Sequence, residues 1–143
     1  MDENIEALVG PRAPWLRAIT LGVLAQVVLF AGYMSLAAAG LSEGVLFGVV
    51  VVSSLLLYLG AGFLAARPAQ KSHILLGGVV GLAGIAVYFA YVTYLVSTGA
   101  MNATGTRPVT FIEALSLANL ADHALKVAAG AVGGFVAGRK AAG

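Results

Sequence analysis

The chain contains no cysteine, which excludes disulfides, thiolate metal centres and cysteine nucleophiles. Charge is almost as scarce. Asp, Glu, Lys and Arg make up 10% of the 143 residues, against about 25% in a soluble domain. Histidine occurs twice, as His73 and His123. They fall at different depths of the apolar stretches described below, so they cannot share one haem. No clustered metal ligands, nucleophile elbow, P-loop or dinucleotide motif is present, so neither an enzyme nor a cofactor is expected. The formal charge is +2, but the basic residues are scattered and form no patch, so no nucleic acid is expected as partner.

What the chain has is apolar mass, at 60% of its residues. A globule this small has too much surface to hide that much, so lipid must cover it. Four stretches are long enough to cross a hydrocarbon layer of roughly 30 Å, which takes about 20 apolar residues. They are residues 15–39, 43–66, 73–97 and 111–138. Many of these residues favour strands in water, but a lone strand in lipid would leave its backbone unpaired, so helix is expected. The expected fold is all-α: residues 1–143 as a single domain, a polytopic four-transmembrane-helix bundle with the bilayer as first partner.

Local signals mark the helix ends. Pro11 and Pro14 precede the first span, and Trp15 suits the membrane interface. Ser42 can cap the second span, and Pro68 stops it. Thr110 and Glu113 have capping-box spacing. The first span has an acidic flank and exceeds a signal-peptide core, so it is read as retained. Arg12, Arg17, Arg67, Lys71, Arg139 and Lys140 all fall on one side, with Arg107, Glu43 and Glu113 on the other. The positive-inside rule makes the first side cytoplasmic, with both termini there, in the inner membrane of a prokaryote. Asn102-Ala103-Thr104 forms a glycosylation sequon in the longer loop, a three-residue pattern that chance readily supplies.

The second span ends in Gly62-Phe63-Leu64-Ala65-Ala66-Arg67 and the fourth in Gly134-Phe135-Val136-Ala137-Gly138-Arg139. Ile19, Leu21, Gly22 and Tyr33 also match Ile74, Leu76, Gly77 and Tyr88 at one constant offset. Two parallel helical-hairpin repeats account for this, and coincidence in a low-diversity alphabet is the alternative. At these residues the chain loosely resembles uncharacterised small four-helix membrane proteins of bacteria and archaea, whose helices end in a Gly-Phe-x-Ala-Gly-Arg type motif. The first copy departs from it at Ala66. The resemblance implies no activity.

Helices in lipid pack through small residues that let backbones approach. Gly77, Gly81 and Gly84 share a face of the third span with Tyr88 and Tyr91, Gly130, Gly134 and Gly138 run along the fourth, and Gly44 and Gly48 are paired in the second. These faces are helix-packing candidates, towards the same chain or a second copy.

Asn119, Asp122, His123 and Lys126 occupy one arc of the fourth span, opposite Ala121, Leu125, Ala128, Val132 and Phe135. Lys126 falls about 20 Å along the helix from Arg139, within the hydrocarbon. A charge there costs roughly 2.5–3.5 kcal/mol on insertion scales, which makes it a functional candidate. The competing reading is an Asp122–Lys126 ion pair that snorkels outward. Gln26, near the middle of the first span, can hydrogen-bond across to the fourth. Ser54 and Tyr58 share a face of the second span and are read as structural. Two functions follow. The first is a structural or assembly subunit, packing through glycine faces as a homo-oligomer or with a membrane-protein partner. The second is a small oligomeric channel or transporter that uses the polar arc.

Overall fold

The computed structural model describes residues 12–143, with side chains from residue 14 onward. Pro11, the acidic N-terminal flank and the side chain of Arg12 lie outside the described residues. Five helices follow in order: α1 (Arg12–Ala38), α2 (Glu43–Ala66), α3 (His73–Thr98), α4 (Phe111–Ala114) and α5 (Leu117–Ala142). Four of them are long and apolar enough to span a membrane. Among the described residues no strand forms; Met101 and Pro108 merely meet as an isolated antiparallel bridge in the long loop.

α1 and α3 end in the same way. Gly40 (φ 82°) and Gly99 (φ 64°) take the left-handed conformation that glycine adopts without a Cβ penalty. In each case the next two amides fold back onto the last turn: Gly40 N donates to Ala37 O and Leu41 N to Leu36 O, as Gly99 N does to Val96 O and Ala100 N to Leu95 O. α2 begins after Ser42, whose side chain makes no capping hydrogen bond, and ends two residues before Pro68.

The fourth span departs from the expected continuous helix over 111–138. Thr110 accepts from Glu113 N at 3.4 Å and starts α4, but α4 stops after Ala114. Ser116 then caps a new helix by accepting from Asn119 N at 3.4 Å, and α5 runs on to Ala142. A serine three residues ahead of a polar amide offers a second cap inside the apolar stretch, and it wins locally.

α5 packs on α2 and α3, and α1 packs on the same two helices from the other side. The inner surface is unusually fine-grained. Ala18, Ala61, Ala65, Ala129 and Ala137 are buried together with Tyr58, Leu76 and Val80. Large apolar side chains point outward instead, such as Leu56 at 69% and Leu117 at 85% exposure. Ala121, Leu125, Ala128, Val132 and Phe135 of α5 are all exposed. That reverses the economy of a soluble fold and fits a hydrocarbon surround.

The tightest contacts lie towards the end that carries Arg17, Arg67, Arg139 and Lys140, termed here the basic end. A methyl group on Gly62 or Gly77 would fall on the carbonyl of Gly130, one on Gly133 on that of Leu59, and one on Gly134 on that of His73. A Cβ on Gly81 would stand 2.6 Å from the Cα of Val127, and one on Gly138 3.0 Å from the His73 ring. These contacts are all within one chain. Gly44 and Gly48 face no other helix.

Candidate functional site: a cavity floored by a buried ion pair

Each of the four long helices contributes to a polar cluster at mid-bundle. α5 carries Asp122, His123 and Lys126, which are 6%, 5% and 2% exposed. One helical turn separates Asp122 from Lys126, so both point into the bundle, and Lys126 Nζ donates to Asp122 Oδ2 at 2.9 Å. α2 supplies Ser54, one turn before Tyr58. The Ser54 hydroxyl lies 2.9 Å from Val51 O and 3.0 Å from Asp122 Oδ1, two acceptors for its single proton. Each oxygen of Asp122 thus has a donor within reach.

Gln26 of α1 finds its partner on α2 rather than on the fourth span. The Tyr58 hydroxyl donates to Gln26 Oε1 at 2.8 Å. Lys126 Nζ stands 5.9 Å from the Tyr58 ring and 5.6 Å from the Tyr88 ring of α3, within cation–π range of both. His123 is edge-on to Tyr88 at 4.5 Å between centroids and 5.5 Å from the Phe89 ring. Its ring nitrogens have no hydrogen-bond partner among the described residues, and Nδ1 is 4.0 Å from Asp122 Oδ2.

Asn119 stands apart from this cluster. Its amide donates to Glu113 O at 2.6 Å and closes the break between α4 and α5. Gly84 sits where a side chain would meet the Tyr58 hydroxyl, so the third-span glycine face makes room for the tyrosine as well as for α5.

The cluster forms the floor of a cavity of about 670 Å³ inside the single chain, reached by Gln26, Asp122, Lys126 and, higher up, Asn119. Its walls mix aromatic side chains, Phe30 and Tyr33 from α1, Phe47 from α2 and Tyr88 and Tyr91 from α3, with aliphatic ones such as Leu29, Val50 and Val92, and polar residues of the long loop and α4 also line it. Phe30 and Tyr91 touch at 4.7 Å between centroids. Below the floor the bundle closes: Gly130, one turn beyond Lys126, is in backbone contact with Gly77.

The long loop lines the end of the cavity away from the floor, called the mouth here. Arg107 bonds Glu43 of α2 at 3.2 Å and Glu113 of α4 at 2.9 Å. Glu43 Oε1 also accepts from Asn102 Nδ2 at 2.9 Å and from the Thr104 hydroxyl at 3.1 Å. Asn102, the sequon asparagine, is thus part of a knot that pins the loop to α2. In the sequence Glu113 was visible as a capping-box partner, Glu43 as the start of the second span and Arg107 as a loop charge, and the aromatic walls only as apolar content. Tyr88 and Tyr91 shared a helical face with glycines, but nothing in the spacing pointed to a void beside them.

Fold and site together define a multi-pass α-helical membrane protein with a polar-floored internal cavity. Compared with protein-family models, with curated proteins and with solved structures, the chain finds no match.

Proposed function

We propose that this protein binds a small organic solute inside the bilayer and acts as an outward-open carrier, or as the binding unit of a transport assembly. The cavity carries the reading. Close packing is the rule in protein interiors, and a half-open space of this size reaching buried polar groups departs from it. A pure scaffold gains nothing from it. Binding pockets are of this size and combine apolar walls with a few convergent polar groups. The backbone-tight glycine seam below Lys126 argues against an open pore through one chain, so passage would require α5 to separate from α2 and α3.

The assembly reading draws on glycine faces. Gly77, Gly81, Gly130 and Gly134 spend theirs within the chain, so they call for no second copy. The positive-inside rule puts the basic end in the cytoplasm of a prokaryotic cell and the mouth outside. The parallel-repeat reading gains support from Gly40 and Gly99, which end the first helix of each hairpin alike.

The cysteine-free sequence makes the test direct, because one introduced thiol reports alone. Val50 lines the cavity, whereas Val52 on the same helix faces outward at 59% exposure. In sealed right-side-out vesicles, Val50→Cys reacts with a membrane-impermeant thiosulfonate and Val52→Cys does not. A silent Val50→Cys, or one modified only from the inner side, would overturn the proposal.

A further inference from the structure

Resting on the solute-binding reading, the chemistry of the cavity floor narrows the class of solute. Asp122 has a donor within reach of each oxygen, Lys126 on Oδ2 and the Ser54 hydroxyl, whose one proton it shares with Val51 O, on Oδ1. The donors are in the opposite state. Lys126 Nζ has three N–H groups and, among the described residues, one oxygen partner. Gln26 gives its carbonyl to Tyr58, and its amide nitrogen donates to no protein group among the described residues. Both side chains are 2% exposed and both reach the cavity. Tyr58 holds them together, with its hydroxyl on Gln26 and its ring 5.9 Å from Nζ. The floor therefore offers N–H groups that lack acceptors among the described residues, at the bottom of a shaft whose aromatic and aliphatic walls lead to a polar rim at Glu43, Arg107 and Glu113.

We infer that the cavity takes an organic monocarboxylate, with its carboxylate on Lys126 Nζ and Gln26 Nε2 and its apolar body along the aromatic walls, and that a proton taken up by Asp122 accompanies it. Charge balance in a low-dielectric interior requires the second half. The resting pair is neutral. A carboxylate arriving at Lys126 would leave two negative charges facing one ammonium. Proton uptake by Asp122 restores neutrality, and its carboxyl keeps Ser54 as a partner. The balance is Asp⁻ Lys⁺ plus RCOO⁻ plus H⁺, giving AspH and Lys⁺ paired with RCOO⁻. An amine ligand would have to strip Lys126 from an already satisfied acid and leaves the free N–H groups unused.

The groups that face Asp122 are Lys126 and His123 on α5, Ser54 and Tyr58 on α2, Gln26 on α1 and Tyr88 on α3. His123 Nδ1, at 4.0 Å, is the other candidate for the proton, and it is tested below.

The experiment measures how fast Val50→Cys reacts with the thiosulfonate in the presence of phenylacetate, decanoate or phenethylamine, at pH 6 and pH 8. Phenylacetate represents a carboxylate from water, decanoate one from the bilayer, and phenethylamine an aromatic cation. Protection by either carboxylate, with an apparent affinity that falls by up to about tenfold per unit rise in pH, is the expected result. Protection by decanoate alone assigns the source to lipid, and by phenylacetate to water. Lys126→Met abolishes protection. Asp122→Asn keeps protection and loses its pH dependence, whereas His123→Gln keeps both. Normal reaction with no protection by either carboxylate overturns the ligand class and leaves the cavity reading standing; no reaction at all overturns that reading too. Protection by phenethylamine alone overturns the ligand class. A pH dependence that survives Asp122→Asn or vanishes in His123→Gln overturns the assignment of the proton. Should the floor variants not fold, Val50→Cys with the native floor decides both halves: protection by the carboxylates and not by phenethylamine decides the ligand class, and protection equal at pH 6 and pH 8 overturns the accompanying proton.

Discussion

Lys126 holds an ammonium within the apolar layer with one anionic partner and two aromatic faces. Removing one member of a buried pair strands the other, at roughly 3–5 kcal/mol, while removing both is often close to neutral. Asp122→Asn or Lys126→Met alone should therefore lower resistance to unfolding in a denaturing-detergent titration by several kcal/mol. The double variant should recover much of the loss. Additive losses would show that the two groups do not act as a pair. Gly77 and Gly78 make a second comparison on adjacent positions. A methyl on Gly77 meets the Gly130 carbonyl, whereas nothing lies within 4 Å of a methyl on Gly78. Overpacking of this kind costs about 1–3 kcal/mol. The same titration should show Gly77→Ala destabilised by that amount and Gly78→Ala unchanged or slightly stabilised.

At the scale of elements, the long loop and the α4–α5 break shape the mouth. Arg107 makes two ion pairs, but it is 55% exposed, and such pairs are worth about 0–1 kcal/mol. Its role is local order. Asn102 N donates to Arg107 O at 2.8 Å and Val109 N to Ala100 O at 3.0 Å, and these bonds hold the loop as a folded strap. Arg107→Gln should speed hydrogen exchange at the amides of Asn102 and Val109 and leave the spans unchanged, with little change in global stability. Equal exchange would remove Arg107 from the strap. The four spans were legible at this scale because hydrocarbon imposes length and helicity on any apolar segment. The α4–α5 break was not. Ser116 is inconspicuous in the sequence and Asn119 stands out only as part of the polar arc, and their capping bond competes only once the chain folds back to bring Asn119 onto Glu113 O.

For the whole molecule, the surface decides the medium. Outward leucines beside an alanine and glycine interior leave lipid as the only compatible surround for the four spans. With the basic end inside, epitope tags at both termini should resist external protease in right-side-out vesicles. Cleavage of either tag would reverse or break the orientation.

The sequence alone determined that the chain is helical, has four segments long and apolar enough to span a bilayer and carries a polar arc on the last of them. Those features depend on composition and on a 100° periodicity, which any stretch of chain reports for itself. Tertiary structure alone decided what the arc faces. The ring walls come from three different helices, and Gln26 reaches Tyr58 across 32 positions. The closed half depends on glycines meeting backbone on other helices. A void is a property of what neighbouring elements fail to fill, and no single segment of sequence carries that information.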